Sequence, residues 1–146
     1  MTRHKLLSVL GFLGMVLAIL GLLARNSIFG RGPVSILLQI IAVLLMLWAR
    51  LTLGFRSFHL SANPTSGGLL TNGPYRFLRH PIYAAVLLFI FSAIASNFSI
   101  QNAGLGLLGA AGALARISME ETLLRREFTE YAAYARRTKR LIPFIF

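Results

Sequence analysis

The sequence predicts an all-helical, polytopic membrane protein with about four spans, a polar loop and an amphipathic C-terminal helix. Three observations lead there. Of 146 residues, 56% are apolar and only 13% are charged, with a mean hydropathy of +0.71. A water-facing domain of this size carries about 25% charged residues, so roughly half of that surface is missing. The apolar residues also gather into four uncharged runs, and the basic residues fall between and after them.

The same arithmetic excludes other classes. Fifteen Lys and Arg against four acids leave a net charge of +11. A soluble nucleic-acid binder would need far more polar surface around its basic patch, and a disordered chain would need far fewer apolar residues. With no Cys there is neither disulfide nor thiol nucleophile. The three His are far apart and Asp is absent, so no metal centre is expected.

A helix rises 1.5 Å per residue and needs about 20 mostly apolar residues to cross a bilayer. The first predicted span is 6–24, nineteen residues without a charge. Arg3 and Lys5 precede it as in a signal peptide. The apolar run is longer, however, and no small-residue cleavage site follows, so it reads as a retained anchor. The second span is 34–53, crossing the interface at Arg50. The third is 82–98, begun by Pro81, whose missing N–H is no loss at a first helical position. The fourth is 100–115, ended by Arg116 and rich in Gly104, Gly106, Gly109 and Gly112. Small residues at that spacing let helices approach closely in lipid. Thirteen basic residues fall on one side of this topology and two on the other, which places both termini in the cytoplasm. A prokaryotic inner membrane is the expected location, with anionic headgroups as partners of the basic side chains.

Two segments are too polar to span. One runs from Arg50 to Pro81 through the turn-rich stretch 61–68 and Thr71-Asn72-Gly73-Pro74. The other, 116–137, reads as one amphipathic helix. Leu124, Phe128, Tyr131 and Ala135 mark its apolar face, and Arg116 with Glu120 and Glu121 with Arg125 are i,i+4 pairs. All four acids lie in it.

The chemistry concentrates where these segments reach the membrane. Pro81 sets Arg79 and His80 at a helix mouth, where unpaired N–H groups and the dipole favour an anion such as a carboxylate. Tyr83 faces the same layer. Interfacial anchoring alone accounts for an isolated Tyr or Arg-His, but here the cluster is dense and an acid pair follows. Glu120 and Glu121 point about 100° apart on a helix, so they cannot share one task. One is expected to pair with Arg116, Arg79 or Arg125, and the other to meet a cation such as a ligand ammonium.

Gly73-Pro74-Tyr75, Arg79-His80-Pro81-Ile82-Tyr83, Arg116, Glu120-Glu121, Phe128 to Tyr134 and Leu141-Ile142-Pro143 together resemble the isoprenylcysteine carboxyl methyltransferase family, itself related to phospholipid N-methyltransferases. The resemblance covers about the last eighty residues. It departs at Ala84-Ala85, where a glycine often follows the tyrosine, and at Thr129, where Gly or Pro is common. The resemblance implies S-adenosylmethionine as the cofactor. His80, the Pro81 helix start and Tyr83 would sit near its carboxylate, and Glu120 or Glu121 would take its ammonium. Leu69, Leu70, Gly73 and Tyr75 would wall its adenosine.

Arginine grips a carboxylate bidentately. Arg79 and Arg116 are therefore expected to orient an anionic acceptor, carboxylate before thiolate, a small molecule or lipid reaching the site between the third and fourth spans. A phospholipid or small-amine N-methyltransferase and a non-catalytic membrane anchor are the alternatives. No nucleic-acid partner is expected, and the oligomeric state stays open.

Overall fold

The computed structural model describes residues 3–54 and 68–142. Among the described residues there are five α-helices: α1 (Arg3–Ala24), α2 (Pro33–Leu53), α3 (Pro81–Ser96), α4 (Ile100–Glu127) and α5 (Tyr131–Arg137). A 3-10 turn at Gly73–Arg76 precedes α3. No strand occurs among the described residues, only one isolated parallel bridge between Leu78 and Lys139. The turn-rich stretch 61–67, Arg56 and Pro143 lie outside the described residues.

Two helices, α1 over Leu6–Ala24 and α2 over Pro33–Leu53, are long and apolar enough to cross a membrane. Helix α3 begins at Pro81 as expected but stops at Ser96, two residues early, because the Asn97 N–H turns back onto the Ala93 and Ile94 carbonyls. Its 16 residues span only about 24 Å at 1.5 Å per residue, less than the ~30 Å of a hydrocarbon core.

The expected boundary at 115/116 does not exist. Helix α4 runs unbroken for 28 residues, joining the predicted fourth span to the first half of the predicted C-terminal helix. The break falls instead at Phe128, which is extended (φ −118°, ψ 113°) while its N–H still reaches the Leu124 carbonyl. Helix α5 then starts afresh at Tyr131. One long helix thus carries the small-residue stripe at one end and both site glutamates at the other. Ser99 caps its start, accepting from the Asn102 N–H.

Helix α1 packs along α4, and α2 along α3, whereas α1 and α2 scarcely touch. The α1–α4 contact depends on missing side chains. A Cβ on Gly11 would lie 2.6 Å from the Gly112 carbonyl oxygen, and one on Gly109 would lie 3.3 Å from Ala18. Gly106 faces α3 instead, 2.6 Å from Ile94 by the same construction. The stripe therefore closes α4 against α1 and, at Gly106, against α3. Gly112→Val should cost about 1–3 kcal/mol by overpacking and lower the melting temperature in detergent. Gly104→Ala, whose methyl would meet nothing within 4 Å, should leave that temperature unchanged or higher.

The end of the molecule away from Pro81 is closed by a polar lattice. Gln39, buried, donates to the Ile28 carbonyl at 2.9 Å and accepts from the Gly30 N–H. Arg25 donates to Asn102, and Asn102 to the Asn97 carbonyl. Leu22, Ile28, Ile90 and Ile94 form an apolar cluster beside it. Cavity and chemistry lie at the other end.

Candidate active site

Gly73 sits at φ +55°, and a Cβ there would lie 2.5 Å from the Thr52 hydroxyl, so glycine lets this loop lie against α2. From there Phe77–His80 runs beside the C-terminal segment. The Arg79 N–H donates to the Lys139 carbonyl at 2.7 Å, and the His80 N–H to that of Arg140 at 3.1 Å. The Lys139 N–H returns a bond to the Phe77 carbonyl. The half-buried Tyr134 hydroxyl, its pKa pushed up to about 12 by partial burial, donates to the Tyr75 carbonyl at 2.6 Å. Loop and C-terminal segment are one sewn unit.

Glu121 holds that unit to α4. Its carboxylate receives Arg79 Nε at 3.0 Å and Arg140 Nη2 at 2.9 Å, and His80 Nε2 lies 3.4 Å away. It is 3% exposed. Burial alone would raise its pKa, but His80 and Arg140 hold it well below the ordinary carboxylate range. The predicted Glu121–Arg125 pair gives way to these longer-range partners, and Arg125 stacks over the Tyr131 ring, 5.4 Å from its centroid.

One residue earlier and about 100° round the helix, Glu120 faces the cavity, its side chain 24% exposed. Tyr83 donates its hydroxyl proton to Glu120 and accepts from Arg116 Nε at 2.7 Å. Arg116 Nη2 also stands 3.5 Å from Glu120, and its Nη1 donates to the Ser8 carbonyl of α1. His80 bridges the two acids, its Nδ1 lying 3.6 Å from Glu120 and its Nε2 close to Glu121. Burial opposes a charged imidazole, yet the two carboxylates together raise the His80 pKa. His80, Arg79, Arg116 and Arg140 thus face two glutamates, which leaves an excess of positive charge beside the cavity.

A pH dependence follows. With its pKa raised, His80 contributes fully below pH 6.5 and loses that contribution as pH rises through its folded value. With its pKa depressed, Glu121 contributes fully above pH 4.5 and loses it as pH falls. Thermal stability should therefore peak between pH 4.5 and 6.5. His80→Gln should flatten the alkaline side of a melting-temperature profile.

These groups open on a cavity of about 320 Å³, within the roughly 300–1,000 Å³ of small-molecule pockets. Of the residues singled out from the sequence, Leu69, Leu70, Tyr75, Arg79, His80, Pro81, Tyr83, Arg116 and Glu120 line it. Gly73 and Glu121 do not, and both brace it from behind. Arg79 spends its guanidinium on Glu121 and on the carbonyls of Ala135 and Thr138, at 2.7 and 2.5 Å. That geometry clamps the C-terminal segment to α4 and the loop.

The sequence reading passed over several lining residues: Phe12, Met15, Val16 and Ile19 of α1, Met46, Arg50 and Leu53 of α2, and Tyr131 and Tyr134. Tyr131 is fully buried, and its hydroxyl has no hydrogen-bond partner among the described residues. Arg140 was also unassigned.

A zwitterionic amino-acid moiety needs an acid and a base a few ångströms apart, and Glu120 beside His80 and Arg116 meets that need. Apolar walls continue from there, as an uncharged ring or chain requires. Helices long and apolar enough to cross a membrane, joined to a ligand-sized cavity with one charged wall, fit a membrane-associated protein with a small-molecule site. The model of the phospholipid methyltransferase family matches residues 31–131, and the chain belongs to that family, which includes the isoprenylcysteine carboxyl methyltransferases. Among curated proteins it is similar to the cobalt-zinc-cadmium resistance protein CzcN of Cupriavidus metallidurans, 41% identical over 76 residues. It is similar too to the nickel-cobalt-cadmium resistance protein NccN of Alcaligenes xylosoxydans xylosoxydans, 41% identical over 78 residues. Each match covers 51% of this chain, and the chain spans only 35% and 36% of those relatives. No solved structure matches. Among the described residues no group of three His, Cys, Asp or Glu is placed to hold a metal ion.

Proposed function

We propose that this chain transfers a methyl group from S-adenosylmethionine to an anionic, lipophilic acceptor, a carboxylate before a thiolate, at the cytoplasmic face of a prokaryotic inner membrane. The observation that carries this reading is the Glu120–His80–Arg116 cluster on the wall of a cavity whose remaining sides are apolar. Membership of a methyltransferase family supports the reaction class.

When bound, S-adenosylmethionine supplies a methyl carbon on a cationic sulfur; the acceptor oxygen bonds to that carbon as the C–S bond breaks, and the sulfur keeps the electron pair. Glu120 would receive the ammonium of its amino-acid end. His80, Arg116 and the N–H groups at the start of α3 would receive the carboxylate. Tyr83 holds Glu120 and Arg116 in register through its single hydroxyl. Leu69, Leu70 and Tyr75 would flank the adenosine. A carboxylate acceptor carries no proton to remove, so no general base is called for. The protein contributes alignment, and the surplus positive charge favours an anion.

An amine acceptor would need a further carboxylate turned toward it, but Glu120 is taken by the donor's ammonium in this reading and Glu121 is buried among Arg79, Arg140 and His80. Isothermal calorimetry on detergent-solubilised protein tests the cofactor half of this reading. Saturable binding of S-adenosylmethionine is expected, whereas no heat and no thermal shift would favour a non-catalytic anchor.

A further inference from the structure

We infer that one turn of α1, through Ser8, Gly11 and Phe12, positions Arg116 for the amino-acid end of the donor, and that the Phe12 ring is the side chain that sets the place of the guanidinium. This rests on the preceding reading that Glu120, His80 and Arg116 receive that end of S-adenosylmethionine.

Helix α1 lies outside residues 31–131, over which the chain matches its family. It nevertheless packs along α4 and meets Arg116 from stem to head. Beside the stem stands Gly11. A Cβ there would lie 3.1 Å from Arg116 Cγ and 2.6 Å from the Gly112 carbonyl oxygen, so glycine admits the stem. At the head, Arg116 Nη1 donates to the Ser8 carbonyl at 3.4 Å. The guanidinium carbon lies 5.4 Å from the centroid of the Phe12 ring, within the ~6 Å over which an aromatic face attracts a cation. Residues three and four apart share one face of a helix, and this face of α1 is turned to Arg116.

The cradle matters because Arg116 has a competing attraction. It stands four residues before Glu120 on α4, a spacing at which opposite charges pair along a helix. Closed fully on Glu120, the guanidinium would neutralise the acid that the donor's ammonium needs and the cation that its carboxylate needs. The observed contact is open. Nη2 stands 3.5 Å from Glu120, while Nε donates to the Tyr83 hydroxyl at 2.7 Å. Arg116 is buried, so protein contacts rather than water hold it at that distance. The Ser8 carbonyl and the Phe12 ring pull from the side opposite Glu120, and of the two only the ring is a side chain. Phe12 is thus a positioning residue that acts on the donor through Arg116.

Isothermal calorimetry on the detergent-solubilised full chain tests this with two nucleosides. S-adenosylhomocysteine carries the zwitterionic amino-acid end, and 5′-methylthioadenosine has the same nucleoside and sulfur without it. Phe12→Leu, apolar but without a ring, should weaken S-adenosylhomocysteine about tenfold, equivalent to ~1.4 kcal/mol. It should leave 5′-methylthioadenosine within about twofold of the parent. Phe12→Trp, which restores an aromatic face, should keep S-adenosylhomocysteine within about threefold. In an Arg116→Lys background Phe12→Leu should bring no further loss, since residues that act as one unit are not additive. If Phe12→Leu does not fold, Phe12→Met carries the same expectation.

An equal loss for both nucleosides would overturn the inference, because Phe12 would then be a wall of the pocket and nothing more. Unchanged affinity for S-adenosylhomocysteine would overturn it too, as would a loss of the same size in the Arg116→Lys background. A parent chain that binds neither nucleoside would defeat the donor reading and this inference with it. That failure is told apart because it precedes any substitution.

Discussion

Glu121→Ala is expected to lower stability by about 3–5 kcal/mol, the cost of leaving buried charges without their counter-ion. Arg79, Arg140 and His80 all lean on this one carboxylate. Its loss would also free the C-terminal segment, which reaches Phe77–His80 through the Lys139 and Arg140 carbonyls. Hydrogen exchange should rise across 135–142 and 77–80 together, before α1 or α2 exchange. Glu121→Gln should fall between alanine and the parent, since an amide still accepts hydrogen bonds but brings no charge. A melting temperature within a degree or two of the parent would mean that the C-terminal unit is held by its apolar contacts alone.

Glu120→Gln is expected to act in the opposite way. Glutamine keeps the shape and can still accept from Tyr83, so stability should change by less than about 1 kcal/mol, as for partly exposed ion pairs. Affinity for S-adenosylmethionine should fall by about 2–3 kcal/mol, roughly 30- to 150-fold, because the ammonium loses its charged partner in a confined site. Calorimetry reads the affinity and differential scanning fluorimetry the stability. Unchanged affinity would remove the ammonium from Glu120. A large stability loss with it would make Glu120 structural, like its neighbour.

That two adjacent acids meet different surroundings, Glu121 among Arg79, Arg140 and His80 and Glu120 on the cavity wall, was legible in outline, since helical geometry separates their directions by about 100°. Which one met which was not. Arg140, which helps decide the matter, pairs with Glu121 only through the extended contact between Phe77–His80 and the C-terminal segment. The helix mouth at Pro81 was legible because proline at a first helical position is a local signal. The break at Phe128 was not, because the apolar spacing runs on through it and only the backbone records the turn. The α1 wall was hidden for a different reason. Phe12 and Val16 in an apolar run look alike whether they meet lipid or a cavity. Arg50 was read as a topology charge, and nothing local separates that from a place on a cavity rim. The glycine stripe was read correctly as close packing, but its partners α1 and α3 were not legible, because the sequence records small residues without naming the helix that meets them.

The most direct test supplies S-adenosylmethionine labelled in its methyl group to the purified chain in vesicles made from a host lipid extract, followed by extraction and mass spectrometry. The account predicts label in a lipophilic product as a methyl ester, released by mild alkali, and its loss in Glu120→Gln at low cofactor concentration. Label found only on an alkali-stable amine, or on no lipid although the cofactor binds, would contradict it.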